Sequence, residues 1–413
     1  MIALKPPRLA APEKKMLSIK SWSKGRARAG VLHLPGFPHP IETPALLITT
    51  RKGLPYFTPP DHLHSLPSPD STLLQFSPLH FWEVISLSAI SNVGGLHKLV
   101  SLQDHIFAAV PRDDVASVPE YQSTNKIGAS FETPCGRCLL KPTEYMEMIS
   151  AMKPNIWATL ADEVPAWVSE KRNKASIERT IRWLDDCVGT RSADTTGGAV
   201  FGSVVGGSRI EGRQLCAQEV AKRSVSGYWI GGFGLGETVE ERSALLNAVT
   251  DNLPKEKPRH ISGLGLPEEV LQGVAAGVDL FDSMYIYHLT LGGFALIFPL
   301  DGTRHDADHL ISDCNSDGTK INLKAISYRK DKSPIVACCK CFTCQHHTKG
   351  YINHLFNVHE MLAQTLLEIH NTHHFLGFFR SIREAINAGK FEEFRQNFVE
   401  RRRDNLMATA LCA

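Results

Sequence analysis

Eight short apolar runs, separated by polar or helix-forming stretches, restrict this chain more than any other feature. They are Ala45–Thr49, Leu73–Phe76, Ile85–Ile90, Ile156–Leu160, Ala199–Val205, Gly227–Ile230, His260–Gly263 and Val278–Phe281. Between several of them lie segments with helical periodicity: 144–152, 174–186, 213–224, 238–253 and 267–276. Parallel strands need crossover connections, and buried parallel strands read as continuous apolar runs. Eight such units in alternation predict an α/β fold, a (β/α)8 barrel, which takes about 250 residues. The span 45–300 fits that length. Residues 1–44 then form an N-terminal extension with a hairpin, 301–320 a polar surface insertion, and 321–413 a metal-binding region followed by C-terminal helices.

The chain has 413 residues, 43% hydrophobic and 21% charged, which suits a globular protein with ample core. Its formal net charge of +2 argues against holding nucleic acid by bulk charge, though a local basic face is compatible with it. Ten cysteines occur without a disulfide-like framework, which predicts a reducing, cytoplasmic setting. No run of eighteen apolar residues exists, and residues 1–15 lack the apolar stretch of a secretory signal. Four basic residues among those fifteen leave mitochondrial targeting as an alternative, against which Glu13 and three prolines count.

In such barrels the chemistry sits where strands end. Those ends carry Asn92-Val93-Gly94-Gly95, Asp162-Glu163, Val205-Gly206-Gly207, Gly231 to Gly234 and Asp282. Asp162 and Asp282 would place two carboxylates at one mouth. Tight βα turns for the glycines, and helix N-caps for the aspartates, are the structural alternatives.

Late in the chain, Cys339, Cys341 and Cys344 form a CxCxxC loop. A histidine from the following helix-like run, 351–380, would complete the three-sulfur, one-imidazole set of a closed tetrahedral zinc site. Spacing alone leaves His370 and His373, one helical turn apart, as candidates. At the end, Arg401-Arg402-Arg403 reads as a solvated helix end, with phosphate contact as the sharper alternative.

Together these residues resemble the tRNA-guanine transglycosylase family over nearly the full length. The resemblance rests on Gly25-Arg26-Ala27-Arg28-Ala29-Gly30, Ile41-Glu42-Thr43-Pro44, Asp162-Glu163, Phe201 to Gly207, Ile230-Gly231-Gly232, Gly277 to Asp282, Ile321-Asn322-Leu323, the CxCxxC and His370-Asn371. It implies one Zn2+ per subunit, held by Cys339, Cys341, Cys344 and His370. It also implies exchange of guanine in a tRNA anticodon, with Asp282 at the nucleophile position and Asp162 at the base-reading position. The departures are then informative. The family's DSGGFQ turn, with its acid/base aspartate, falls on Asn92 to His97; its base-reading glutamine falls on Val205; its basic TRNxRNG loop falls on Tyr287 to Gly293, which has no arginine.

The chain is therefore most similar to the noncatalytic subunits of the family's eukaryotic heterodimers, with Asp282 and Asp162 as vestiges. Such a subunit pairs with a catalytic paralogue, and through it with tRNAs bearing GUN anticodons. The same interface could support a homodimer, and peripheral attachment to the mitochondrial outer membrane is a further expectation. Two other readings compete: a self-sufficient base-exchange transferase using Asp282, and a zinc-stabilised RNA-binding module.

Overall fold

The computed structural model describes residues 15–82, 85–113, 115–189, 198–300 and 317–412. Most of the expected polar insertion lies outside them. A three-stranded antiparallel sheet comes first: β1 (Leu17–Trp22), β2 (Arg28–Leu32) and β3 (Ile41–Thr43). Close approach requires Gly30 on β2, since a Cβ there would sit 2.7 Å from the Ser18 carbonyl oxygen.

The barrel opens with β4 (Ala45–Arg51), on which the short β5 (Leu54–Pro55) folds back, and continues through β6 (Leu73–Phe76) and β7 (Ile106–Ala109). A small antiparallel sheet follows, made of β8 (Val118–Pro119), β9 (Ala129–Thr133) and β10 (Gly136–Leu140). The parallel strands resume with β11 (Ile156–Ala158), β12 (Ala199–Val204), β13 (Gly227–Ile230), β14 (Arg259–Ile261) and β15 (Leu280–Asp282). Pairing of β15 with β4, Phe281 opposite Leu46, closes the eight-stranded barrel. Closure removes the sheet edges, and the barrel interior includes Phe201 and Trp229, each at most 1% exposed.

One predicted strand is wrong. Residues 85–90 belong to helix α1 (Leu87–Val93), whose N-cap Ser86 accepts the Ala89 amide through Oγ at 3.2 Å; the third barrel strand is β7 instead. α1 ends at Gly94, with φ +103°, and α2 (Leu96–Leu99) follows. The outer ring continues with α3 (Pro142–Met152), α4 (Glu170–Gly189), α5 (Ile210–Ala221), α6 (Val239–Thr250), α7 (Pro267–Ala275) and α8 (Met284–Gly292). On α6, Thr238 and Glu241 exchange side-chain to backbone bonds of 3.2 Å each, a capping box that fixes the helix start.

Beyond the barrel, β16 (Phe294–Leu296) pairs antiparallel with β17 (Lys320–Asn322). Then come α9 (Phe342–His346), α10 (Lys349–Asn357), α11 (Leu362–Asn387) and α12 (Phe391–Cys412). The expected continuous helix 351–380 is thus broken: His359 adopts φ +59° and Glu360 returns its N–H to the Leu355 carbonyl, ending α10 before α11 begins. A second apolar cluster, including Ala295, Leu323, Ile352, Leu366 and Leu367, lies beneath these helices and contains Cys341 and Cys344.

Candidate metal centre and barrel mouth

Cys339, Cys341 and Cys344 meet His370 with their ligand atoms all within 4.8 Å of one another. The loop supplies the sulfurs because Cys341 caps α9: its Sγ accepts the Cys344 amide at 3.3 Å, curling the CxxC segment into one turn. The imidazole Nδ1 of His370 lies 4.0, 3.5 and 3.3 Å from the three sulfurs. Tetrahedral bonds of zinc length would put sulfur and nitrogen ~3.6 Å apart. On its far side the ring bonds the Leu296 carbonyl through Nε2 at 2.8 Å, so Nε2 carries the proton and Nδ1 presents its lone pair to the sulfurs. Next to it, Asn371 accepts from the Leu296 amide at 2.9 Å and donates to the Phe294 carbonyl at 2.9 Å, anchoring α11 on β16. The donor set and spacing fit a metal ion, with His370 rather than His373 as fourth member. All four corners are protein atoms, so a tetrahedral ion held there would have no open position for water.

At the barrel mouth the structure relocates one residue set. Asn92 is exposed, and Gly95 and His97 lie at the opposite end of the barrel: a Cβ on Gly95 would meet the Met152 carbonyl, and His97 bonds Asn155, just before β11 begins. Asn92 to His97 therefore cannot be the turn after the third strand. Val110-Pro111-Arg112-Asp113 occupies that place, so Asn92 does not stand where the family's acid/base carboxylate would be and Asp113 follows the third strand instead. Asp113 is buried and its carboxylate bonds the His80 ring, the Ala116 amide and, at 2.8 Å, the Val115 amide. Burial alone would raise its pKa; the bonds to His80 and to the two amides outweigh it and hold the carboxyl below its ordinary value. A depressed folded pKa stabilises the fold above the unfolded value, about 3.9, and that contribution is lost as pH falls through the folded one. Asp113→Asn is expected to flatten the loss of Tm below about pH 4; an unchanged acid limb would show the carboxylate contributes nothing.

Asp162 and Asp282 do stand at strand ends on this mouth. Asp282, 2% exposed, accepts the Gly263 amide at 3.1 Å and the Met284 amide at 3.2 Å. Asp162 is enclosed by α4: Arg172 grips both its oxygens at 2.8 and 2.7 Å, and Arg179 adds a third bond at 3.0 Å. The neighbouring Glu163 pairs with Arg112 at 3.3 Å and accepts the Gly232 amide. Val205 is buried and apolar, as its side chain dictates. Beside it Arg213, fully buried, donates to the carbonyls of Gly207, Gly231 and Gly232 at 2.8, 3.0 and 2.8 Å and lies over the Phe233 ring at 3.9 Å. Gly206 has no room for a side chain, because a Cβ would sit 2.6 Å from the Arg213 amide.

The space left among Thr49, Gln75, Arg112, Asp113, Ser262, Asp282 and Met284 is a cavity of about 10 Å3. That is room for about one water, whereas small-molecule sites run to several hundred Å3, roughly 300–1,000. Arg112, Asp113, Arg172, Arg179 and Arg213 were not foreseen from the sequence. For Arg112 and Asp113 the usable signal was the unbroken apolar run Ile106–Val110 ahead of them; for the arginines of α4 and α5 none was available before the helices were rotated into place.

A closed parallel barrel with carboxylates at its strand ends and a Cys3His lobe packed on it defines a (β/α)8 protein with an appended site able to hold a metal ion. The chain belongs to the tRNA-guanine transglycosylase family: the family model described as Queuine tRNA-ribosyltransferase matches residues 23–404. Among its relatives is the human protein named Queuine tRNA-ribosyltransferase accessory subunit 2, 32% identical over 87% of this chain and 92% of that protein. An Ixodes scapularis protein of the same name is 32% identical over 83% and 89%. The Queuine tRNA-ribosyltransferase of Bacillus subtilis is 28% identical over 93% and 94%. Among the described residues no helix is long and apolar enough to cross a membrane.

Proposed function

We propose that this chain is the noncatalytic subunit of a heterodimeric queuine tRNA-ribosyltransferase, supporting exchange of guanine for queuine at the wobble position of tRNAs with GUN anticodons (Asp, Asn, His and Tyr acceptors). The observation that carries this reading is the engagement of Asp162 by two arginines. Asp162, at the base-reading position, is saturated by Arg172 and Arg179, and the cavity beside Asp282 has room for about one water. Val205 and the arginine-free stretch Tyr287 to Gly293 support it as well.

The metal in this reading is one Zn2+ per subunit on Cys339, Cys341, Cys344 and His370; it joins the loop to α11 and takes no part in a reaction step. The catalytic paralogue docks on the metal lobe from Tyr351 onward, where Tyr351, Val358, Met361 and Leu362 are 41–71% exposed, and a second copy of this chain would use the same face. The setting is cytoplasmic, with peripheral attachment to the mitochondrial outer membrane as part of the reading.

Guanine-to-queuine exchange on a GUN-anticodon tRNA is expected only when this chain and its catalytic paralogue are mixed, with neither active alone. One observation favours a second reading, a self-sufficient transferase: Asp113 and Asp282 line the same cavity. Release of labelled guanine by this chain alone, lost in Asp282→Ala, would establish that reading and overturn the first.

A further inference from the structure

The net charge of the chain conceals a strong asymmetry. Between Gly318 and His359 there are seven lysines and arginines against a single acid, Asp331, while the whole chain nets only +2, so the rest of the molecule is net acidic. Asp331 is already engaged by Lys349 at 3.2 Å. Arg329, Lys330, Lys332 and Lys340 are exposed, and among the described residues none has a carboxylate within ion-pair distance. Elsewhere arginines are mostly paired: Arg26 with Asp251, Arg223 with Asp185, Arg402 with Glu268 and Asp317.

The three cations of 329–332 are held at one place. Gly350 donates its amide to the Asp331 carbonyl at 2.8 Å, Lys349 donates its own to the Ser333 carbonyl at 2.9 Å, and Tyr328 is buried under the Lys349 ammonium. This ties the segment to the start of α10. The exposed apolar residues Val358, Met361 and Leu362 lie past the other end of that helix, about 12 Å along its axis at 1.5 Å per residue. Tyr351 adjoins the cations at the start of α10, and the apolar face runs from it along the helix to Val358, Met361 and Leu362, away from them. Beside the cations Ile326 is 86% exposed.

We propose that Arg329, Lys330 and Lys332 form a docking surface for the phosphodiester backbone of the RNA substrate, presented by this subunit while chemistry proceeds on its partner. The inference rests on the function proposed above and places on the metal lobe the phosphate contacts that Tyr287 to Gly293 cannot make. Free cations with no competing carboxylate give up only water and counterions on meeting phosphate, so binding should be steeply salt-dependent.

The test is fluorescence-anisotropy binding of an unmodified GUN-anticodon tRNA transcript to the full chain between 50 and 200 mM salt, for wild type and Arg329→Ala/Lys330→Ala/Lys332→Ala. The triple variant is expected to bind at least ~10-fold more weakly, with its log–log salt slope reduced by about 2 to 3. The control Lys171→Ala/Lys174→Ala, on the exposed face of α4, should match wild type. Unchanged affinity and slope would overturn the proposal, as would loss of pairing with the catalytic paralogue while RNA binding stays intact. Exchange kinetics on the mixed subunits separate the two readings. A wild-type pair that exchanges guanine, with an unaltered tRNA KM in the triple variant, sinks the docking surface alone. A wild-type pair without exchange sinks the functional reading, and the binding data then judge the patch by themselves.

Discussion

Replacing Cys341 by serine should release the metal, unfold the C-terminal lobe and abolish co-purification with the catalytic paralogue. Cys341 contributes twice, since its sulfur both faces the His370 Nδ1 at 3.5 Å and caps the turn that delivers Cys344. Structural zinc contributes roughly 10–16 kcal/mol of apparent free energy in zinc-finger peptides. The cluster beneath this lobe is small, so losing even a third of that, on the order of 4 kcal/mol, would expose it. Metal content by atomic absorption, near-UV circular dichroism and pairing by gel filtration should all fall together, and a chelator should reproduce the result in the wild type. Cys338→Ser is the control, because Cys338 is exposed and outside the four-ligand set. A Cys341→Ser protein that keeps one metal equivalent and pairs at full affinity would remove both the site and the interface from the account.

The other large effect is expected at the opposite end of the barrel. Arg28 and Asp279 form a bidentate pair at 2.8 and 2.6 Å, their side chains 1% and 0% exposed, and Asp279 also accepts the Arg259 amide at 2.8 Å. Arg28 also donates to the carbonyls of Lys255 and Lys257. Truncating Asp279 to alanine leaves a buried guanidinium without its counter-charge, which costs about 3–5 kcal/mol. The urea midpoint should shift accordingly, with the slope unchanged, and Asp279→Asn should fall between the two. A midpoint unmoved in Asp279→Ala would mean that water replaces the carboxylate, contradicting the burial.

This pair also shows how far the sequence could be read. Gly25 to Gly30 and Gly277 to Asp282 were recognisable as family motifs, yet nothing in their spacing says that one, on β2 of the N-terminal sheet, supplies an arginine to the other's aspartate just before β15. The barrel itself was legible because its strands are short apolar runs, seven of them where the sequence pattern places them. The eighth was misplaced for a physical reason. Ile85-Ser86-Leu87-Ser88-Ala89 alternates apolar and polar residues, the pattern of a half-solvated strand, whereas a strand covered on both faces reads as an unbroken run, as Ile106 to Val110 does. That slip carried the acid/base turn with it to Asn92. The enclosure of Asp162 by Arg172 and Arg179 was not legible at all: both arginines lie on one helix, seven positions apart, and only the roll of α4 about its axis decides whether they face the mouth or water.

Helix α11 has a consequence for how the chain can be taken apart. Its first turns place Leu366 and Leu367 in the metal-lobe cluster, Glu368 receives the Phe57 and Thr58 amides at 2.9 and 2.5 Å, and His370 joins the sulfurs. Further along, Phe375, Phe379 and Ile382 enter the barrel core, and Arg383 bonds Asp70 at 3.0 Å and the Pro44 carbonyl at 3.0 Å. One rod is therefore common property of two folding units, and a break at either end propagates into the other. No cut between barrel and lobe yields two self-sufficient fragments, so dissecting this molecule means altering surfaces on an intact chain rather than dividing it.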